Sequence, residues 1–154
     1  GRTLAAGHSY RFRVRAIDRA GNVGPWVVSR PTAIAALHDR NPALRYEGAW
    51  RTVSGGTLAG GTEQVSLEAG ARAAVAVRAR GVAWVATVGP GWGRARVFVD
   101  GELVATIGLP SPGTVTRRGV WAARWPSIGD HRIAIRLTGN PGGRVGVDAI
   151  GILR

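Results

Sequence analysis

Cysteine, methionine and lysine are all absent from this chain of 154 residues. Without cysteine there is no disulfide framework, no thiolate metal site and no thiol nucleophile, so stability has to come from packing. Acidic residues are scarce, 9 against 21 basic ones, and no two sit where a strand reading would pair them across a glycosidic bond, as hydrolysis of that bond requires. Ser54-Gly55-Gly56 lacks the strand-to-helix elbow that exposes a serine nucleophile. No catalytic residue is therefore expected. No apolar run is long enough to cross a bilayer as a helix, and no segment carries a convincing helical period.

With lysine missing, every basic residue outside the histidines is arginine, and the formal net charge is +12. Such a balance attracts polyanions in a non-specific, salt-sensitive way. Arginine alone, beside abundant glycine and alanine, matches the codon bias of a GC-rich coding sequence rather than the mixed cations of a nucleic-acid surface. No specific nucleic-acid partner is expected, and acidic cell-wall glycans would be attracted equally well.

What the chain does contain is alternation. Tyr10, Phe12, Val14 and Ala16 alternate with Arg11, Arg13 and Arg15, the period of a strand with one buried and one wet face. Gly21-Asn22 and Gly24-Pro25 supply the turn signals that follow. These residues resemble the last two strands of a fibronectin type III domain, so residues 1–31 read as the end of an immunoglobulin-like sandwich whose earlier strands are missing. Residues 32–42, which show no period-two pattern and end in Asn41-Pro42, read as a linker.

Beyond the linker, strand-like runs recur at 44–50, 63–67, 72–79, 82–88, 94–100, 102–109, 115–125, 131–137 and 144–153, separated by turn clusters. That spacing predicts an all-β sandwich or barrel. In the run 72–79 the inward set is Ala73, Val75, Val77 and Ala79, with Arg72 and Arg78 outside. Asp100-Gly101 is the strongest hairpin signal, since a two-residue turn needs positive φ and glycine supplies it without steric cost.

Tyr46-Glu47-Gly48-Ala49-Trp50, the segment 93–101 ending in Val99-Asp100-Gly101, Gly129-Asp130-His131-Arg132-Ile133 and Val147-Asp148-Ala149-Ile150 together resemble the galactose-binding-like jelly-roll sandwich of many carbohydrate-binding modules. The resemblance covers residues 43–154 and implies non-catalytic binding of a polysaccharide or cell-wall glycan, in a multidomain secreted protein acting outside the cell or on its surface. It also implies a structural calcium ion, for which Glu47 and Asp148 are the matching carboxylates. His131 shares a strand face with Ile133, Ile135 and Leu137 and reads as a core histidine with a satisfied ring nitrogen.

Sugar rings present apolar C–H faces, and an aromatic platform beside planar hydrogen-bonding groups is the side-chain chemistry that holds them. Trp92, in a loop too glycine-rich to bury it easily, is the best candidate platform, followed by Arg94 and Arg96 on one strand face. Trp121 and the loop residue Asn140 complete the expected ligand-binding set, whereas Trp50 and Trp84 read as packing. The alternative is a structural module of a fibre or surface appendage, which self-associates through the unpaired edges of its N-terminal strands.

Overall fold

The computed structural model describes residues 7–139 and 143–154. These residues form thirteen strands and one 3-10 turn, Ala59–Gly61. The strands are β1 (His8–Tyr10), β2 (Arg13–Val14), β3 (Val27–Val28), β4 (Thr32–His38), β5 (Arg45–Glu47), β6 (Arg51–Ser54), β7 (Thr62–Ser66), β8 (Arg72–Val88), β9 (Arg94–Val99), β10 (Glu102–Gly108), β11 (Val115–Leu137), β12 (Val145–Val147) and β13 (Ala149–Leu153). The all-β expectation is met. One sheet runs β1-β4-β13-β8-β11-β9-β10, with β5 added beside β8, and a smaller sheet runs β12-β7-β6. Every pairing between strands is antiparallel.

Two long strands organise the molecule. The runs at 72–79 and 82–88 join into β8, and those at 115–125 and 131–137 join into β11. The predicted inward residues Ala73, Val75, Val77 and Ala79 are buried, but past Gly81 the core-facing positions become Val82, Trp84, Ala86 and Val88. Inward parity therefore changes from odd to even at the middle of β8. The facing strand is irregular at the same level, where its register shifts between Arg124 and Gly129. Bulges of this kind bend a strand and re-aim its side chains. Around β8 pack Ile133 and Ile135 of β11, Val97 of β9, Ile150 of β13 and Val65 of β7, all at most 3% exposed.

The expected linker is not a linker. Thr32–His38 is a full strand, hydrogen-bonded to β1 on one side and β13 on the other. Its residues 34–37 are half-buried whichever face they occupy, and Ala35 and Leu37 pack on the core. A strand covered on both faces reads as a continuous apolar run rather than as an alternation, so the period-two test missed it.

The first strands divide. β1 docks on β4, while β2 and β3 form a separate ribbon, tied further by a bridge between Ile17 and Val23. The hairpin at Asp100-Gly101 forms as expected between β9 and β10, with φ of 53° at Asp100 and 93° at Gly101.

Candidate functional site

The residues expected to bind sugar do not converge. Trp92 is only 7% exposed, so the expectation of a platform presented by its loop is corrected. Gly89 of that loop and Gly146 of β12 leave the indole room to enter. A Cβ at Gly146 would lie 2.9 Å from Trp92 Cζ3 and one at Gly89 would lie 3.3 Å from Cδ1, while a Cβ at Gly93 would meet the Gly143 backbone at 2.8 Å. The missing side chains at Gly89 and Gly146 leave the slot that the indole fills, and the one at Gly93 lets two backbone segments meet. The Arg144 guanidinium covers the ring, 4.9 Å from its centroid.

Arg94 and Arg96 point outward on β9, away from Trp92. Trp121 is half-buried, lies opposite the fully buried Trp84 in the β8–β11 ladder and packs on the core instead of standing on the surface. Asn140 lies outside the described residues. His131 has a satisfied ring nitrogen, as expected: Nδ1 lies 2.9 Å from Asp100 Oδ2, and the ring stacks on Trp125 at 3.7 Å between centroids.

Around Trp92 there is nonetheless a cleft of about 230 Å³. The hydroxyls of Ser54, Thr57, Thr87, Thr114 and Thr116 and the guanidinium-bearing Arg51 and Arg144 line it, with Val53 and Leu58 among its apolar side chains and Trp92 behind Arg144. Glu63 lies at its base, 2% exposed, accepting hydrogen bonds from the Thr87 amide at 2.9 Å and the Thr87 hydroxyl at 2.6 Å. Burial pushes the Glu63 carboxyl up, against the lowering effect of those two bonds. Gly146 makes this approach possible, since a Cβ there would lie 2.2 Å from Glu63 Oε1. The Trp84 indole N–H donates to the Gly146 carbonyl at 3.1 Å and fixes the same strand from the other side. Sequence reasoning missed Glu63, Arg51 and Arg144. The available signal was Val145-Gly146-Val147, where one glycine interrupts a buried strand and marks a close approach.

The expected calcium pair is also rearranged. Glu47 is on the outside, its carboxylate 2.7 Å from Arg72 Nη1, whereas Asp148 is fully buried. The partner of Asp148 is Asp39, 1% exposed, whose amide donates to the Asp148 carbonyl at 3.0 Å. Asp39 Oδ1 accepts from the Thr62 hydroxyl, and Asp148 Oδ1 from the Ala59 amide. The Oδ2 atom of each is buried without a partner. Burial raises the Asp148 carboxyl above its ordinary value, the Ala59 amide and Arg117 oppose that shift, and the Asp39 charge adds to it. Two unpaired carboxylate oxygens are the donor chemistry of a hard cation, although calcium takes six to eight oxygens. Among the described residues no third acidic or histidine side chain joins these two as a ligand group.

Neither the protein-family models nor the curated protein sequences contain a match to this chain. Solved structures do match. A family 35 carbohydrate-binding module from Clostridium thermocellum aligns over 79% of this chain and 97% of its own, with 16% identity and a TM-score of 0.54. The chain shares the fold of this module. A family two carbohydrate esterase from Cellvibrio japonicus aligns over 79% of this chain at 18% identity and a TM-score of 0.58. An exo-β-1,3-galactanase from Phanerochaete chrysosporium aligns over 84% at 18% identity and a TM-score of 0.56. This chain spans only 34% and 30% of those two enzymes. The resemblance to a galactose-binding-like β-sandwich is thus supported at the level of the fold.

Proposed function

We propose that this chain is a non-catalytic carbohydrate-binding module, working in a secreted multidomain protein where polysaccharide is encountered. The observation that carries the reading is the cleft beside Trp92, where five hydroxyl side chains and the guanidinium groups of Arg51 and Arg144 are set beside an apolar wall that includes the exposed Val53. Hydroxyls and arginines exchange hydrogen bonds with sugar hydroxyls, and the apolar wall accepts C–H surface. Glu63 is the one carboxylate of the cleft and is saturated by Thr87. A second carboxylate on the opposite side of a bond, which hydrolysis needs, is not among the lining residues.

Trp92→Ala is a poor test, because truncating a buried tryptophan costs about 3–5 kcal/mol through the cavity it leaves. Arg51 and Thr114 are exposed, so Arg51→Ala and Thr114→Ala change the cleft without opening the core. Each is expected to weaken retention on neutral polysaccharides in affinity electrophoresis by about tenfold, with an unchanged melting temperature and no new reducing ends in the incubated polysaccharide. Retention that survives both substitutions removes the cleft from the reading.

One observation favours self-assembly as a second role. Val14, Ile17 and Val27 of the N-terminal ribbon are 66%, 60% and 65% exposed, an apolar surface on an element that is two-stranded among the described residues. Light scattering across a concentration series is expected to show association that Val14→Asp abolishes; a strict monomer at every concentration ends this reading.

A further inference from the structure

The outer face of the large sheet carries a charge arrangement that the cleft does not use. Arg72 of β8 lies directly opposite Arg136 of β11, and Arg136 lies directly opposite Arg96 of β9. Directly opposed residues share a face, so the three arginines form one row across three adjacent strands, stepped about 4.8 Å apart at the backbone. Like charges placed this way destabilise a sheet. Glu47 closes one end of the row, opposite Arg72 and ion-paired with it, and Thr106 closes the other, opposite Arg96. Among the described residues neither Arg96 nor Arg136 meets a carboxylate.

The neighbouring rung is different in kind. Ala74, Ala134 and Phe98 lie opposite one another, and the two alanines are 8% and 6% exposed, an apolar floor beside the arginines. One rung further, Arg132 faces Ala76 and forms the second basic wall. The result is a depression of about 820 Å³ lined by Arg72, Arg132, Arg136, Phe98 and the carboxylates Glu47 and Asp100. Both carboxylates are already engaged, Glu47 by Arg72 and Asp100 by His131 and the Arg132 amide.

From this face we infer a second glycan site, whose ligand is a carboxylate-bearing polysaccharide of the polyuronate type lying across the strands along the arginine row. The inference rests on the reading of the chain as a glycan-binding module and names a ligand class for a surface separate from the cleft. Charge complementarity carries it: an anionic chain converts an unfavourable row of like charges into a series of guanidinium–carboxylate pairs, the geometry arginine fits best. Glu47 already shows a carboxylate seated against the row at 2.7 Å. The alanine floor takes the C–H face of a sugar ring. Single-stranded nucleic acid is disfavoured, because it is held by successive bases stacked on several aromatic side chains, and Phe98 is the one aromatic lining this depression.

The test uses the full chain in affinity electrophoresis at about 0.15 M salt, where diffuse attraction is screened within roughly 8 Å. Polygalacturonate, a neutral galactan and random single-stranded DNA are the three probes. The double variant Arg96→Gln/Arg136→Gln is compared with Arg11→Gln/Arg19→Gln, which removes the same charge from the N-terminal ribbon. Polygalacturonate binding is expected to fall about tenfold in the first and stay unchanged in the second, with the melting temperature of the first at or above that of the parent. Equal losses in both variants, absence of polyuronate binding, or a preference for DNA that the row variant abolishes would each overturn the inference. Galactan retention reports on the cleft alone, so the two readings fail separately.

Discussion

Asp148 sets a problem of charge that the fold answers in one of two ways. Its carboxyl is fully buried beside that of Asp39, and each keeps one oxygen without a partner. Because the folded state raises the proton affinity of Asp148 above the ordinary value of 3.8, the native protein binds that proton more tightly than the unfolded chain. The sign follows from linkage: the contribution of this group to stability is fully present below the unfolded value and is lost as pH rises through the raised folded value. Asp148→Asn removes the charge, keeps an acceptor for the Ala59 amide and adds a donor for Asp39. In calcium-free buffer at neutral pH it is expected to raise the melting temperature by about 2–4 °C, on the order of 1 kcal/mol, and the difference should vanish near pH 3. Scanning calorimetry at neutral pH and near pH 3 reads both effects; a variant that is less stable at neutral pH contradicts the account of the buried charge. Asp148 was legible in the sequence as a strand-end acid, but its partner was not. Asp39 is distant in the chain and lay in the segment read as a linker, so only the β4–β13 pairing reveals that the two meet.

At the level of elements, alternation was read correctly where one face is wet and misread where both faces are covered. The pattern of β8 between Arg72 and Ala79 and the Asp100-Gly101 hairpin needed only local rules, and both form as expected. β4 failed the same rules because its half-buried central residues, Ile34, Ala35, Ala36 and Leu37, are apolar on both faces and show no alternation. The ribbon of β2 and β3 is the reverse case, with clear alternation and almost no burial. Alternation states which residues are able to face a core; it does not state that a core is present. Hydrogen exchange is expected to follow the packing: the amides of Val14 and Val27 should exchange at nearly unprotected rates, while those of Val75 and Trp84 in β8 should exchange only through global opening. Comparable protection in the ribbon and in β8 would mean that the ribbon is covered in solution.

For the whole molecule, the net charge of +12 turned out to be a question of placement. Composition predicts attraction to any polyanion; the row of Arg72, Arg136 and Arg96 requires the strand register, which no single-sequence pattern supplies. The sandwich class was legible because turn signals recur along the chain, and the cleft was not, because it depends on Gly146 meeting Glu63 and Trp92 from distant segments. The β4–β13 pair has a further, mechanical consequence. Ala33 and Arg154 exchange both backbone hydrogen bonds, at 3.0 and 2.9 Å, so the start of β4 and the end of β13 lie side by side. A load applied through those two points meets the β4–β13 ladder end-on and opens its rungs one after another instead of shearing them together.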